Sequence, residues 1–266
     1  MSPVNANLIS PGVDHWRNWM PATYYSTHSL APVMYITDTW PEKVNGFIVP
    51  HSAGLSDPAF RLRPLRHDLA SMIALRMNNG AIVKLLQVSL RGHGIWTRIH
   101  GSTGQMENTR IGEWHYLRLR KEQFLDKKRR EPKEQIYFPD FPIHNDLAWA
   151  HDGCDFFMTY HFAEAMKRNE QPYLDVYRGA AMSAVAIQAY RSALADSAPM
   201  VIPDFKKEAV RRKFANDNWN PDPAKHTKKQ PWPSIEGNVK PDKKGLAFAK
   251  NIWETRGRES YKVLGE

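Results

Sequence analysis

Alternating apolar and polar residues recur in short runs between Lys43 and Arg120. The runs are KVNGFIVP, DLASMIALRM, AIVKLLQVSLRG, WTRIHG, GQMENTR and WHYLRLR. A period of two is typical of strands with one buried face, and turn residues separate the runs. Asn78, Asn79 and Gly80, between the second and third runs, tolerate the positive φ of a tight hairpin. The pattern therefore predicts an antiparallel meander.

Three other segments carry apolar residues at helical spacing. Residues 26–37 predict a short buried helix opened by a serine or threonine cap. Residues 148–168 and 176–195 predict a pair of helices that pack on one face of the sheet. The charged run at 121–133 predicts an exposed loop, and MVIP, ending at Pro203, predicts a further strand. The fold class is therefore α+β, with an open, predominantly antiparallel sheet and helices packed on one face.

The chain changes character after Pro203. Residues 204–266 are polar, basic and interrupted by prolines, except for an amphipathic piece near residues 246–256. We expect residues 1–203 to form one α/β domain. We expect residues 204–266 to form an extended basic arm around that domain or around a partner subunit.

Composition limits the class of protein. The chain has 266 residues, of which 42% are hydrophobic and 24% charged, as in globular proteins that bury a core. No run approaches the roughly 20 apolar residues that cross a bilayer, and no segment has the pattern of an export signal. We therefore expect a soluble, cytoplasmic chain, unless a segment preceding Met1 directs export. Cys154 is the only cysteine, which excludes an intrachain disulfide and a zinc site built from several cysteines.

The formal net charge of +9 comes largely from the late part of the chain. No helix-turn-helix, zinc-finger or RNA-binding aromatic signature accompanies these basic residues. We therefore expect neither nucleic acid nor a membrane as partner, and interpret the basic stretch as a solvated or protein-contacting tail. A nucleic-acid-binding module is a further alternative, which would show binding that weakens steeply with salt.

Candidate chemistry begins with the histidines, because their pKa lies nearest neutral pH. His28 lies in YYSTHSLAP, directly after an aromatic run, and is either a proton-transfer group or a capped structural histidine. His151 precedes Asp155 in AHDGCDFF, and is either a site residue or part of a capping cluster at a helix start. His93 and His144 are further candidates.

A metal site built from His28, His151 and Asp155 is conceivable, but the spacing is not a recognised ligand motif. We therefore expect no metal. Cys154 lies between apolar and aromatic neighbours, where a cysteine is usually inert.

Arg17 is set between Trp16 and Trp19. A guanidinium held by indoles offers a rigid fork to sugar hydroxyls or to a carboxylate. The alternative is a loop arginine that stacks on its neighbours for stability alone.

Several segments, in this order, resemble the C-terminal half of the glucose-fructose oxidoreductase, inositol dehydrogenase (Gfo/Idh/MocA) family. WRNW and YYSTHSLAPVMYIT resemble the segment with the family's active-site histidine, and RIHGSTGQMENTR resembles its G-T-x-G-x-x-E strand. AHDGCDFFMTYHFAEAM and PYLDVYRGAAMSAVAIQAYRSALADSAPMVIPDF resemble its closing helices. The resemblance covers residues 12–223. It implies the substrate-binding, sheet-forming half of a sugar oxidoreductase.

The resemblance also implies roles for the matching residues. His28 would be the proton-transfer residue at the sugar carbon that is oxidised. The residues that would line the pocket for the sugar or glycoside substrate are Arg17, Trp16, Tyr24, Tyr25, Thr27, His93, His151 and Asp155. Because family members often pair sheets between subunits, we expect a homo-oligomer formed through the sheet face.

Departures from the family pattern leave the reaction open. Tyr24 stands four residues before His28, where the common dehydrogenases have an aspartate. The resulting Y-x-T-H motif resembles the branch of NAD-dependent glycosidases that act on N-acetylgalactosaminides. Cys154 stands where that branch usually has glycine. Both oxidation of a sugar and cleavage of a glycoside therefore stay open.

The dinucleotide-binding half of the family has no counterpart in these residues. No G-x-G-x-x-G follows a strand near the N-terminus, so we expect the N-terminal Rossmann domain to be absent from this chain. The resemblance implies NAD or NADP for the full-length enzyme, whereas this chain alone should neither bind the cofactor tightly nor turn over substrate. The alternative is a non-catalytic carbohydrate-binding or oligomerisation protein derived from the same domain.

Overall fold

The computed structural model describes residues 15–88, 96–108, 116–122, 133–137, 154–252 and 254. These residues fall into two compact units, one drawn from Met1–His93 and Ala180–Glu266 and the other from Gly94–Gly179. Each unit contains one four-stranded antiparallel sheet. The predicted α+β class is confirmed, but the expected meander is divided between two sheets.

The first sheet, sheet A, has the strand order β3-β2-β1-β8. Its strands are β1 (Pro41–Val49), β2 (Ala70–Met77), β3 (Ile82–Val88) and β8 (Met200–Val201). The α-helices among the described residues are α1 (Thr27–Thr37), α2 (Pro58–Arg61), α3 (Cys154–Lys167), α4 (Val176–Leu194), α5 (Glu208–Phe214) and α6 (Lys243–Ile252). The tight turn between β2 and β3 depends on Gly80, whose φ of 84° suits a residue without a Cβ.

Helices α1 and α4 cover one face of sheet A and form the main core with it. The buried members of this core are Leu30, Met34, Val44, Ile73, Leu75, Met77, Leu85, Met182, Ala184, Val185, Ala189 and Ile202. Helix α4 crosses β1 at Gly46, where an added Cβ would lie 2.0 Å from the Ala189 carbonyl oxygen. This close approach requires glycine, and it fixes α4 directly on the strand.

The opposite face of sheet A carries exposed apolar side chains. Phe47, Val49, Ile82, Leu86 and Val201 are 41–69% exposed. The strand register places Phe47 opposite Met72, and Met72 opposite Leu86, so that these residues share a face. We call this surface the open face of sheet A.

The second sheet, sheet B, has the order β4-β5-β6-β7. Its strands are β4 (Arg98–Gly101), β5 (Gly104–Asn108), β6 (Leu117–Lys121) and β7 (Glu134–Tyr137). Sequence reasoning did not predict β7, because its four residues follow a strongly charged run. Part of the loop predicted at 121–133 lies outside the described residues.

Charged side chains connect the strands of sheet B. Glu107, only 6% exposed, accepts hydrogen bonds from Arg98 Nε at 2.8 Å and from Arg118 Nη1 at 3.3 Å. Arg118 also contacts Glu134 at 2.7 Å. Since Glu107 pairs with Arg98 on one side and with Arg118 on the other, the ion pairs run across the strands. The glutamate of the GQMENTR motif therefore has a structural role.

The start of α1 corrects one prediction. Ser26 precedes the helix as expected, but its side chain makes no capping hydrogen bond, and its buried Oγ has no partner. The physical reason is the Ser26 backbone, whose φ of −67° and ψ of −16° are already helical, whereas capping needs an extended residue. The buried stripe of α1 consists of Leu30 and Met34, while Tyr35 is exposed.

The two later helices agree with the sequence pattern in type. Helix α3 begins at Cys154, and the predicted start at 148–153 lies outside the described residues. Helix α4 packs on sheet A as predicted. The corresponding packing of α3 stays a prediction.

The polar segment after Pro203 contains α5 and α6, belongs to the first unit, and contacts the earlier part of that unit through Asp68. The buried Asp68 carboxylate accepts hydrogen bonds from Ser234 Oγ at 2.6 Å and from the backbone N–H groups of Ile235 and His51 at 2.9 and 3.1 Å. We call this arrangement the Asp68 clasp. The division into residues 1–203 and an arm of 204–266 stays a prediction.

Within the described part of the chain, no helix combines the length and the apolar character needed to cross a bilayer.

Candidate functional site

The candidate site lies in the segment that precedes α1 and in the first turn of that helix, and hydrogen bonds hold the segment at two points. Thr23, fully buried, donates from Oγ1 to the Ala186 carbonyl of α4 at 2.9 Å. Asn18, also buried, accepts a hydrogen bond from the Arg66 N–H at its carbonyl, at 2.7 Å. The segment is an irregular series of turns, and these contacts fix its course.

Four predicted site residues form one stacked group at the surface. The rings of Tyr25 and His28 stack with their centroids 4.1 Å apart and their planes at 14°. The guanidinium of Arg17 lies 4.8 Å from the Trp16 ring centroid and 5.8 Å from that of Tyr25. We call Trp16, Arg17, Tyr25 and His28 the site column.

The site column is open to solvent. Trp16 is 43% and Tyr25 36% exposed, and His28 is also exposed. The sequence predicted that Arg17 stacks on indoles. The structure places the guanidinium over the indole of Trp16 and over the phenol of Tyr25.

His28 lies in the first turn of α1, where two neighbours affect it. Thr27 Oγ1 is 3.5 Å from His28 Nδ1, a long hydrogen bond whose donor depends on the imidazole tautomer. Pro32 lies four residues later inside the helix and has no N–H, so it cannot donate the usual helical hydrogen bond to the His28 carbonyl. At this helix start the His28 ring is therefore near the Thr27 hydroxyl, and the His28 carbonyl lacks its usual helical donor.

Tyr24 has surroundings different from those of Tyr25. Its ring meets the Tyr190 ring edge-on, with centroids 6.2 Å apart and planes at 89°. Burial raises the pKa of Tyr24 well above its ordinary value, with Arg191 opposing the increase and Asp217 adding to it. Tyr24 therefore keeps its proton at physiological pH. Its predicted place in a substrate pocket stays a prediction.

The remaining candidates are three further histidines and Asp155. His93, His144 and His151 lie outside the described residues. Asp155 lies in the first turn of α3, where its carbonyl accepts a hydrogen bond from Thr159 Oγ1 at 3.1 Å. Among the residues that the structure describes, no three His, Cys, Asp or Glu side chains are grouped as a metal site.

The chemistry of the site column suits a polar ring with an apolar face. Exposed Trp and Tyr rings can contact the C–H groups of such a ligand. The guanidinium of Arg17 supplies fixed donors for hydroxyl oxygens, while the imidazole of His28 is a side chain of the kind that acts as a general acid or base. The residues thus combine a binding surface with one acid–base group.

Tyr190 is a residue that sequence reasoning missed. Its position in the apolar stripe of α4 shows burial only, and no sequence pattern indicates that its ring meets Tyr24.

Comparisons with known proteins bear on most of the chain. The family model for the glycosyl hydrolase 109 C-terminal domain matches residues 70–212. The site column lies before this range, so the match supports the domain and not the site residues. No curated protein matches the chain.

Solved structures resemble the fold. A levoglucosan dehydrogenase in complex with NADH and L-sorbose is 15% identical, with a TM-score of 0.52 over 68% of this chain and 50% of its own. The same enzyme with NADH alone is 14% identical, with a TM-score of 0.50 over 67% and 49%. An Agrobacterium radiobacter oxidoreductase in complex with NAD+, L-tartaric acid and magnesium is 12% identical, with a TM-score of 0.49 over 66% and 47%. The chain spans about half the length of these proteins.

Proposed function

Because the chain belongs to the glycosyl hydrolase 109 C-terminal domain family, we propose that it is the sugar-binding domain of an NAD- or NADP-dependent enzyme that oxidises a sugar or cleaves a glycoside. The predicted resemblance to a Gfo/Idh/MocA C-terminal domain is confirmed by this match and by the fold. The single observation that carries the proposed activity is the site column, with the His28 imidazole stacked on the Tyr25 ring.

In this proposal each member of the site column has one task. His28 moves the proton of a sugar hydroxyl or of the adjacent carbon, and Thr27 orients its imidazole through Nδ1. Arg17 binds sugar hydroxyls with its fixed donors, and the rings of Trp16 and Tyr25 contact the apolar face of the sugar.

The contribution of the residues outside the site column is a further part of the proposal. The family resemblance implies that His93, His151 and Asp155 also bind substrate, and we propose this role for them. A test of each is its substitution by alanine in the same sugar-binding measurement.

The described residues do not fit a dinucleotide, and we derive no step through one. Dinucleotide binding uses parallel strands joined by a helix, with a glycine-rich turn at the phosphates. All strand pairs in the described residues are antiparallel. In the sequence, Gly92 and Gly94 are followed by Thr97 where a third glycine would be needed. We therefore propose that this chain alone neither binds NAD tightly nor turns over substrate. We propose that another segment or polypeptide supplies the nucleotide site.

Calorimetric titration of the chain with N-acetyl-D-galactosamine, D-glucose and L-sorbose tests the proposal. We expect at least one of these sugars to bind without NAD. His28→Ala should weaken that affinity about tenfold or more, a difference of about 1.4 kcal/mol. His100→Ala is the control, since His100 is an exposed histidine on β4. The proposal is wrong if no sugar binds, or if the two variants have equal affinity.

The open face of sheet A favours a second function, self-association. A group of exposed apolar side chains on one surface often marks a protein contact. Exposed apolar residues that are scattered singly are ordinary. Phe47 on β1 and Leu86 on β3 lie in the same register on the two strands that border β2, one on each side of Met72. We propose that a second copy of this chain covers this face. The same contact would serve the non-catalytic alternative.

Sedimentation velocity of the Phe47→Glu, Leu86→Glu double variant tests self-association. We expect the wild-type chain to sediment as an oligomer and the double variant as a monomer, because two buried carboxylates would oppose each other across the contact. Val176→Glu, at a residue 76% exposed on α4, is the control and should leave the oligomer intact. A wild-type chain that is monomeric over the whole concentration range would contradict the proposal.

A further inference from the structure

A chain of aromatic contacts connects the candidate site with the C-terminal segment. Tyr24 meets Tyr190 edge-on at 6.2 Å, and Tyr190 in turn meets Trp219 with centroids 5.8 Å apart. Tyr190 has no exposed surface. We call these three residues the aromatic chain; it joins a residue next to Tyr25 to a residue almost two hundred positions later.

The C-terminal segment holds Tyr190 by a directed hydrogen bond as well. The Tyr190 hydroxyl donates to the Trp232 carbonyl at 2.5 Å. The Trp232 ring is itself stacked on His226, with centroids 3.6 Å apart. A phenylalanine would fill the same apolar space, so the hydroxyl fixes the ring relative to this one carbonyl.

An ion pair holds the other end of the aromatic chain. The Arg191 guanidinium lies 4.7 Å from the Trp219 ring centroid. Its Nη2 donates to both carboxylate oxygens of Asp217, at 2.7 and 2.8 Å. Because Arg191 directly follows Tyr190 on α4, residues 217–232 contact two successive positions of the helix.

Two contacts with α4 determine the course of the segment that precedes α1. Thr23 is bonded to the Ala186 carbonyl, and Tyr24 packs on Tyr190, one helical turn further along. Tyr25 follows directly in the chain, and its ring is stacked on His28. If the Tyr190 ring moved, the Tyr24 ring and backbone would therefore move with it and would shift Tyr25 in the site column.

We propose that Tyr190, held by residues 217–232, is a positioning residue that sets the geometry of the Tyr25–His28 stack for sugar binding. This inference rests on the proposed function, because it assigns Tyr190 a role in the same site. In this role Tyr190 acts through Tyr24, whose ring it contacts. A binding site needs such support, because the orientation of its groups depends on the residues packed behind them.

The test is Tyr190→Phe in the full chain, which keeps the ring contacts and removes the hydrogen bond to Trp232. Tyr177→Phe is the matched control, since it makes the same change in the same helix at a residue 37% exposed. The first readout is the proton NMR signal of the His28 Cε1–H, assigned by its loss in His28→Ala. The second readout is affinity for the sugar that binds the wild-type chain.

We expect Tyr190→Phe to shift the His28 signal downfield, because a proton that leaves the shielding region of the Tyr25 ring loses its upfield shift. We expect sugar affinity to fall roughly threefold or more. Tyr177→Phe should leave both unchanged. Asp217→Asn, in a partly exposed ion pair, should act in the same direction with a smaller effect, and it carries the test if Tyr190→Phe does not fold.

The outcomes separate this inference from the proposed function. A shifted His28 signal in a chain that binds no sugar would support the positioning role and overturn the proposed function. If the wild-type chain binds a sugar and loses it in His28→Ala, but the folded Tyr190→Phe and Asp217→Asn variants change neither readout, the positioning role is overturned.

Discussion

Sheet A and sheet B are each stabilised by a different kind of interaction. Sheet A has one face buried under α1 and α4, with residues such as Val44 and Ile73 fully inaccessible. Sheet B is connected by ion pairs centred on Glu107, whose arginine partners are 41% exposed. Salt screens ion pairs that have partly exposed members, whereas apolar burial is not weakened by this screening. The two regions should therefore respond to different perturbations.

The largest effect is expected where α4 crosses sheet A. Gly46→Ala would place a Cβ 2.0 Å from the Ala189 carbonyl oxygen, so helix and strand must separate. We expect the free energy of unfolding to fall by about 3 kcal/mol or more, measured by urea denaturation. Gly179→Ala on α4 is the control. Its Cβ would meet nothing within 4 Å, and it should stabilise by about 0.5 to 1 kcal/mol. Equal stability of the two variants would contradict the close approach.

A buried histidine should make the first unit sensitive to pH. Burial lowers the pKa of His67 to about 4; the hydrogen bond to the Asp68 carbonyl opposes this, and Arg63 and His51 add to it. At a pH between about 4 and the ordinary pKa of 6.5, His67 is protonated in the unfolded state and neutral in the folded state. The free energy of unfolding should thus be undiminished above pH 6.5 and should fall by about 3 kcal/mol as the pH decreases towards 4.

His67→Asn isolates this effect, because its amide keeps a donor for the Asp68 carbonyl and does not titrate. The comparison is needed because burial raises the pKa of the Asp68 carboxyl, which contributes with the opposite sign in both proteins. We expect the difference in unfolding free energy between wild type and variant to change across this pH window. Two parallel pH profiles from urea titrations would show that His67 is not the responsible group.

Sheet B should respond to a smaller, charge-specific change. Glu107→Gln keeps the shape of the side chain and removes its charge, so Arg98 and Arg118 lose an ionic partner. We expect hydrogen exchange of the β5 and β6 amides to accelerate severalfold, while β1 and β2 amides are unchanged. High salt should accelerate the same β5 and β6 amides in the wild type. Exchange that changes equally in both sheets would contradict the distinction between them.

The smallest effect is expected on the open face of sheet A. Leu86 is 54% exposed, so Leu86→Ser should change the free energy of unfolding of the monomer by within about 0.5 kcal/mol. Urea denaturation in dilute solution measures this value. A loss as large as that of Gly46→Ala would mean that the face is covered within the monomer.

Sequence patterns predicted the local elements better than their grouping. Alternation identified the strands from β1 to β6, and the residues around Gly80 identified a hairpin, because these signals lie within a few neighbouring positions. The division into two sheets depends on which strands pair at long range, as when β8 joins β1. No local pattern encodes that pairing.

The candidate site shows the same limit. The segment around His28 was identified by its family resemblance, and the structure brings Trp16, Arg17 and Tyr25 into one group with it. The opposite surroundings of Tyr24 and Tyr25 were not predictable, because adjacent tyrosines have the same local pattern. Tyr24 contacts Tyr190, which is far away in sequence, whereas Tyr25 stacks on His28.

The Asp68 clasp has a consequence for the order in which the protein is made. Two of its hydrogen bonds join residues 166 and 167 positions apart, and the partners Ser234 and Ile235 leave the ribosome long after Asp68. During synthesis the nascent chain therefore carries a desolvated carboxylate without those donors, or keeps that region hydrated until they arrive. The Tyr190 hydroxyl likewise has its hydrogen bond to the Trp232 carbonyl only after residue 232 has been synthesised. We therefore expect the first unit to complete its packing only after residues up to Ile235 have been translated.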